Sequence, residues 1–99
     1  MAEATNIYYR SLLNVLNVVE NCRRLRKDLR ENEYEQAFAL LDYNSQCAKL
    51  APISEETKGR LLKAAKDADT RDNLRRVVKK AMPKKKVSSV EEILKVVGV

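Results

Sequence analysis

The sequence predicts an all-α fold, a bundle of four to five helices built on a long N-terminal helical hairpin. Apolar residues recur at spacings of three and four through most of the chain, as they do on the buried face of a helix. Only two glycines and two prolines occur among 99 residues, too few for the frequent turns of a strand-rich fold. The length is that of one domain, so we expect residues 1–99 to share a single core.

The first helix is expected to begin near Thr5 or Asn6 and to end near Arg30. Its apolar positions follow the spacing of a helix that packs along one seam; they are Tyr8, Leu12, Val15, Val19, Cys22 and Leu29. Because such a seam can pack inside the domain or against a second copy, a homodimer stays an open alternative. The predicted interface comprises Tyr8, Leu12, Val15, Val19, Tyr34 and Phe38.

The second helix is expected to begin at Asn32, which forms a capping box with Glu35. Pro52 is expected to end this helix near Leu50, because the residue before a proline avoids the helical conformation. No glycine or proline separates the first two helices. One continuous bent helix over residues 6–50 therefore remains a second interpretation.

The third helix is expected to begin after a Ser54 cap, with Glu55 and Glu56 in its first turn. Leu61, Leu62, Ala65 and Ala68 form its apolar stripe. Gly59 lies inside this helix, and a close helix crossing is the reason we expect for it.

The fourth helix is expected to begin within residues 69–72. A basic linker near 83–87 then leads to a short last helix. Ser88 or Ser89 supplies the N-cap of that helix, and Gly98 fits the left-handed position that often ends one.

The net charge of +6 is unevenly distributed. Residues 1–50 hold seven basic and seven acidic side chains, whereas residues 51–99 hold thirteen and seven. Residues 71–86 alone hold eight basic side chains and one acidic one. A cationic stripe on a helix can neutralise phosphates, with affinity that falls steeply as salt rises. The residues predicted to contact nucleic acid are Arg71, Arg75, Arg76, Lys79, Lys80, Lys84, Lys85 and Lys86, with Arg23, Arg24, Lys27 and Arg30 as a second patch.

The five aromatic side chains all lie in the first half of the chain, away from the basic residues 71–86. Proteins that bind single strands interleave aromatic and basic residues so that bases can stack. We therefore expect contact with the backbone or the duplex shape of RNA or DNA. An acidic protein is the other partner that the charge favours.

Catalytic chemistry is not expected. The chain has no histidine, which is the commonest general base and metal ligand. Two cysteines, Cys22 and Cys47, are too few for a zinc site, and the acidic pairs lie where helix N-termini favour acids. We expect no enzyme activity, metal or cofactor. The sequence indicates instead a binding protein or a small subunit of a larger assembly.

The N-terminus has no signal-peptide pattern, and no apolar run is long enough to cross a membrane. Both cysteines are therefore expected to be reduced and to face the core. The protein is expected to be intracellular, either cytoplasmic or nuclear.

Residues 32–38 read Asn-Glu-Tyr-Glu-Gln-Ala-Phe. This pattern resembles the opening of the second helix in tetratricopeptide hairpins and in microtubule-interacting-and-trafficking domains. Both families bind proteins, so the resemblance implies a helical hairpin and favours a protein-interaction module. It covers one helix, and Asn44 stands where those families have a small residue.

Overall fold

The computed structural model describes residues 2–24, 31–82 and 87–98, apart from the side chains at 2–5, 23–24, 31–32 and 34. The described residues form five helices and no strand, which confirms the predicted all-α bundle. The helices are α1 (Ala2–Arg24), α2 (Glu31–Cys47), α3 (Glu55–Lys66), α4 (Ala68–Ala81) and α5 (Val90–Val97).

Helix α1 is the centre of the fold, because α2, α3 and α4 all pack against it. Six of its apolar residues are at most 1% exposed; they are Tyr8, Tyr9, Leu12, Val15, Leu16 and Val19. Leu61 and Ala65 of α3, Leu74 and Val78 of α4, and Ile93 and Leu94 of α5 complete the core. Burial of these side chains is the main favourable contribution to folding.

Helices α1 and α2 form an antiparallel hairpin. The Sγ atom of Cys22, near the end of α1, lies 3.2 Å from a carboxylate oxygen of Glu33, near the start of α2. Ile7 and Asn44 line the opposite end of the pair. This packing rules out one continuous helix over residues 6–50. Helices α3, α4 and α5 contact one another and form a second layer against the hairpin.

The predicted N-cap of α2 is wrong. Glu31, which precedes Asn32, is already helical, so Asn32 lies within α2 and is not its N-cap. Asn32 can occupy this place because intrinsic preferences at a helix start are weak compared with packing along the whole helix.

The end of α2 is set by Lys49 and not by Pro52. The N–H of Leu50 donates to the carbonyl of Ser45 (3.0 Å), and the N–H of Lys49 donates to the carbonyl of Gln46 (2.9 Å). These two bonds are the Schellman pattern, and Lys49 has the left-handed φ of 64° that the pattern needs. The helix therefore ends at Cys47, earlier than the proline predicts.

The junction between α3 and α4 depends on Asp67. Its N–H donates to the carbonyl of Ala64 (3.2 Å), and its carboxylate accepts from the N–H of Thr70 (3.0 Å). One residue thus ends α3 and begins α4, so the predicted start within residues 69–72 is slightly late. Ala68 is exposed as the first residue of α4 and does not belong to the α3 stripe.

Two other features of α3 concern its cap and its glycine. Ser54 caps the helix as predicted, accepting from the N–H of Thr57 at 3.2 Å. The close crossing predicted at Gly59 is wrong, because no atom lies within 4 Å of where a Cβ would stand.

Helix α5 is fixed at both ends as the sequence predicts. Ser89 accepts from the N–H of Glu92 (3.3 Å), and Gly98 has a left-handed φ of 84°. The Thr57 hydroxyl donates to a carboxylate oxygen of Glu91 (3.1 Å), which joins the first turns of α3 and α5.

Two tyrosines hold the segment that enters α5. The hydroxyl of Tyr8 donates to the carbonyl of Ser88 (2.9 Å), and the N–H of Ser88 donates to the hydroxyl of Tyr9 (2.9 Å). Both rings are fully buried, with centroids 4.9 Å apart. This tyrosine pair satisfies both backbone groups of Ser88 and fixes the chain just after the predicted basic linker.

The left-handed conformation of Lys49 predicts a stabilising substitution. A side chain in that region has an unfavourable contact between Cβ and the backbone, which glycine lacks. We expect Lys49→Gly to raise the free energy of unfolding by about 0.5–1 kcal/mol in urea denaturation. Lys49→Ala keeps Cβ, so its free energy of unfolding should stay within ~0.3 kcal/mol of the wild-type value. Equal effects of the two variants would contradict the backbone explanation.

The buried Tyr8 phenol predicts alkaline sensitivity. Burial raises the pKa of Tyr8, and the nearby Tyr9 and Glu92 raise it further. The unfolded chain ionises this phenol near pH 10, so its contribution to stability is present below that pH and lost above it. Between pH 10 and 11 the free energy of unfolding should fall less steeply in Tyr8→Phe than in the wild-type protein. The two slopes should differ by up to ~1.4 kcal/mol per pH unit. Parallel curves for both proteins would exclude this role.

Candidate nucleic-acid interface

Arg71, the first predicted cation of α4, has a structural role. It is 8% exposed, and its Nη1 donates to the carbonyl of Ala65 at 2.9 Å. Its Nη2 lies 4.0 Å from a carboxylate oxygen of Glu20. A cation that binds a carbonyl in the last turn of a helix also interacts favourably with the helix dipole. Arg71 therefore stabilises the end of α3 and is not available to a polyanion.

Arg75, the second predicted cation, connects α4 to α1. Its Nη2 donates to the side-chain oxygen of Asn17 (3.0 Å) and bonds the Glu20 carboxylate. Its Nη1 lies 3.5 Å from a carboxylate oxygen of Asp72. Two acids thus compensate the Arg75 charge, which lowers its attraction for phosphate.

The next three cations, Arg76, Lys79 and Lys80, project from α4 into solvent. They share one helix face, because they are three and four residues apart. No hydrogen bond or ion pair joins them to another described residue. The predicted Lys84, Lys85 and Lys86 follow them in the chain and lie outside the described residues.

These six cations account for the whole net charge. Residues 76–86, which we call the 76–86 segment, contain six basic side chains and no acidic one. Removing six from the 20 basic residues of the chain leaves 14, which equals its number of acidic residues. The excess charge is therefore confined to eleven consecutive residues at and beyond the end of α4.

In the second layer, the charges in the first and last turns of the helices follow the helix dipoles. Helices α3, α4 and α5 each have acidic side chains in the first turn and lysine in the last. Each such placement stabilises a helix by roughly 0.3–1 kcal/mol. Lys79 and Lys80 of the 76–86 segment belong to this pattern.

Of the second predicted patch, the structure describes only the backbone of Arg23 and Arg24. Glu20 near the end of α1 contacts the start of α4 at Arg71, while the tyrosine pair near the start of α1 contacts Ser88, which follows α4. The end of α1 at Arg24 therefore lies nearer to the start of α4 than to its end. The side chains of Arg23 and Arg24, and all of Lys27 and Arg30, lie outside what the structure describes.

The predicted interface residues lie mostly in the core. Tyr8, Leu12, Val15 and Val19 are at most 1% exposed, and Phe38 is 9% exposed. The chain's own helices α2, α3 and α4 cover this seam. The side chain of Tyr34 lies outside the described residues.

Sequence reasoning missed a second surface, on the side of the hairpin away from α3–α5. Ile7 and Leu40 are about half exposed there, and Asn14 lies between them. The sequence does contain a signal for this surface, because α1 has more apolar residues than one packing seam can use, and Ile7 is one of them. Which of its apolar residues stay uncovered depends on how many helices pack against α1.

The cysteines differ from the expectation in one respect. Cys22 is buried as predicted, but Cys47 is exposed, and no disulfide joins them. Cys47 is in the last turn of α2, where the helix has passed the edge of the core. Among the described residues no group of three potential metal ligands occurs.

No helix in the described ranges is long and apolar enough to cross a membrane. Comparisons with protein-family models, curated proteins and solved structures find no match.

The different environments of Arg71 and Arg76 predict different effects on stability. Arg71→Ala removes a buried guanidinium and a hydrogen bond to a helix end, and should lower the free energy of unfolding by about 2–3 kcal/mol. Arg76→Ala changes an exposed, unpaired side chain and should alter it by less than ~0.5 kcal/mol. Urea denaturation of both variants measures this contrast, and similar losses would contradict the assigned roles.

Proposed function

We propose that this chain is a non-enzymatic protein that binds the backbone of duplex RNA or DNA through the 76–86 segment. The observation that carries the proposal is the confinement of the whole net charge to these eleven residues. Phosphate contacts dominate the affinity of nucleic-acid binding and need cations that are not already paired. Arg76, Lys79 and Lys80 meet that condition among the described residues.

The fold supports the site by holding both of its ends. Helix α4 fixes the first three cations on a rigid support, and the tyrosine pair fixes Ser88 two residues after Lys86. A segment anchored at both ends loses less conformational freedom on binding than a free tail does. This arrangement favours an ordered contact with a duplex over capture by a loose basic arm.

The rest of the proposal follows from the residue types. Phosphate contacts need neither metal nor cofactor, and no aromatic side chain lies in the 76–86 segment to stack on bases. An intracellular location, cytoplasmic or nuclear, goes with this function. An acidic protein would meet the same cations and is distinguished by experiment.

Fluorescence anisotropy with duplex RNA, duplex DNA and a single strand tests the proposal at two salt concentrations. The triple variant Arg76→Gln, Lys79→Gln, Lys80→Gln should weaken duplex binding about 10–100-fold and reduce the log–log salt slope by ~2–3. Its matched control is Lys63→Gln, Lys66→Gln, Lys95→Gln, which removes the same charge from exposed positions elsewhere. The control should change affinity by less than about threefold.

Three outcomes would contradict the proposal. Equal losses in the two triple variants would mean that overall charge, and not the 76–86 segment, attracts the ligand. Absence of duplex binding at low salt would exclude nucleic acid. Tighter binding of polyglutamate than of either duplex would indicate that the 76–86 segment binds an acidic protein and not nucleic acid.

A further inference from the structure

The side of the hairpin away from α3–α5 carries a continuous groove between α1 and α2, which we call the outer groove. One part, of about 460 Å³, is lined by Asn14, Val18, Asn21, Cys22, Glu33, Gln36, Ala37 and Leu40. The other part, of about 280 Å³, is lined by Ile7, Arg10, Ser11, Asn14, Leu40 and Asn44. Asn14 and Leu40 belong to both parts, so the groove runs along most of the hairpin.

The outer groove exposes large apolar side chains. Ile7 is 49% and Leu40 is 48% exposed, and Tyr43, one turn after Leu40 on α2, is 65% exposed. Among the described residues only Val96 is a further large hydrophobic side chain with comparable exposure. Clustered exposure of this kind marks an interaction surface, whereas single exposed apolar residues need no explanation.

Each end of the outer groove has one charged residue in its described lining, and the two residues are opposite in sign. Arg10 lines the end beside Asn44, and Glu33 lines the end beside Cys22. Arg10 is exposed and forms no hydrogen bond or ion pair with another described residue. The middle of the groove is lined by the uncharged Asn14, Val18 and Leu40.

We infer that the outer groove is the interface of a twofold homodimer of this chain. Glu33 on α2 is level with Cys22 on α1. A twofold axis that lies in the plane of the interface and crosses the length of the groove between Asn14 and Val18 is therefore midway between the levels of Arg10 and Glu33. Rotation about this axis places Arg10 of each copy opposite Glu33 of the other. Leu40 is seven residues after Glu33 and hence level with residue 15 of α1, so the two Leu40 side chains meet near the axis.

The charge distribution selects a second copy over other partners. A uniformly basic partner helix would be repelled by Arg10, and a uniformly acidic one would be repelled by Glu33. An isologous interface pairs every residue with its symmetric counterpart, so opposite charges at equal distances from the axis complement each other twice. Asn14, Asn21 and Gln36 fit the same symmetry, because amides both donate and accept hydrogen bonds. A polar Asn in such a helical interface also fixes its register.

Oligomeric state tests the inference directly. Sedimentation equilibrium of the full chain should give twice the 11.3 kDa chain mass at micromolar concentration. Leu40→Glu places two carboxylates near the axis and should weaken dimerisation at least about 100-fold. Val96→Glu is the matched control, at an even more exposed apolar residue on α5, and should stay dimeric. Circular dichroism checks that each variant remains helical.

A charge exchange distinguishes this geometry from any other dimer. Arg10→Glu and Glu33→Arg should each weaken dimerisation at least about tenfold, because each creates two like-charge contacts. An equimolar mixture of the two variants should dimerise again, since both cross-interface pairs are then opposite in sign. The double variant on one chain should also recover.

A monomeric wild-type chain would overturn the inference, and so would dimerisation that Leu40→Glu leaves intact. Failure of the mixture to recover would overturn the proposed symmetry. None of these results bears on the 76–86 segment, whose duplex affinity is measured separately and through different residues.

Discussion

Burial of one face of α1 is the constraint on which the remainder of the structure depends. Six side chains of this face, from Tyr8 to Val19, are almost completely removed from water. A single helix cannot do this alone, so α2, α3 and α4 must all pack against it. The polar contacts of α1 then set the details: Glu20 orients Arg71 and Arg75, and the tyrosine pair holds the entry to α5.

The same packing separates structural cations from available ones. Arg71 and Arg75 face α1 and α3 and are held by a carbonyl, an amide and carboxylates. Arg76, one residue further, points away from both helices. A charge count along the sequence treats these arginines alike, although only the last is open to a polyanion. The structure therefore removes Arg71 and Arg75 from the candidate site and leaves Arg76, Lys79 and Lys80 as its described cations.

The hairpin has two faces with different roles. Its inner face is covered by α3–α5, and its outer face keeps a groove with apolar residues in the middle and opposite charges at the ends. A homodimer through this groove leaves the 76–86 segment to a polyanion, so the two proposals use separate residues. One dimer would then present two basic segments to the same duplex, which raises the local concentration of the second site once the first is bound.

The sequence by itself determined the fold class, limited the number of helices to four or five, and located several of their ends. Periodicity, Ser54, Ser89 and Gly98 act over one or two turns, and local signals of this range can be recognised from neighbouring residues. Only the tertiary structure decided that Arg71 is buried and that Leu40 is not. Those outcomes depend on contacts between residues far apart in the chain, such as Arg71 with Glu20. Residue spacing does not contain that information, because it does not say which helix covers which face.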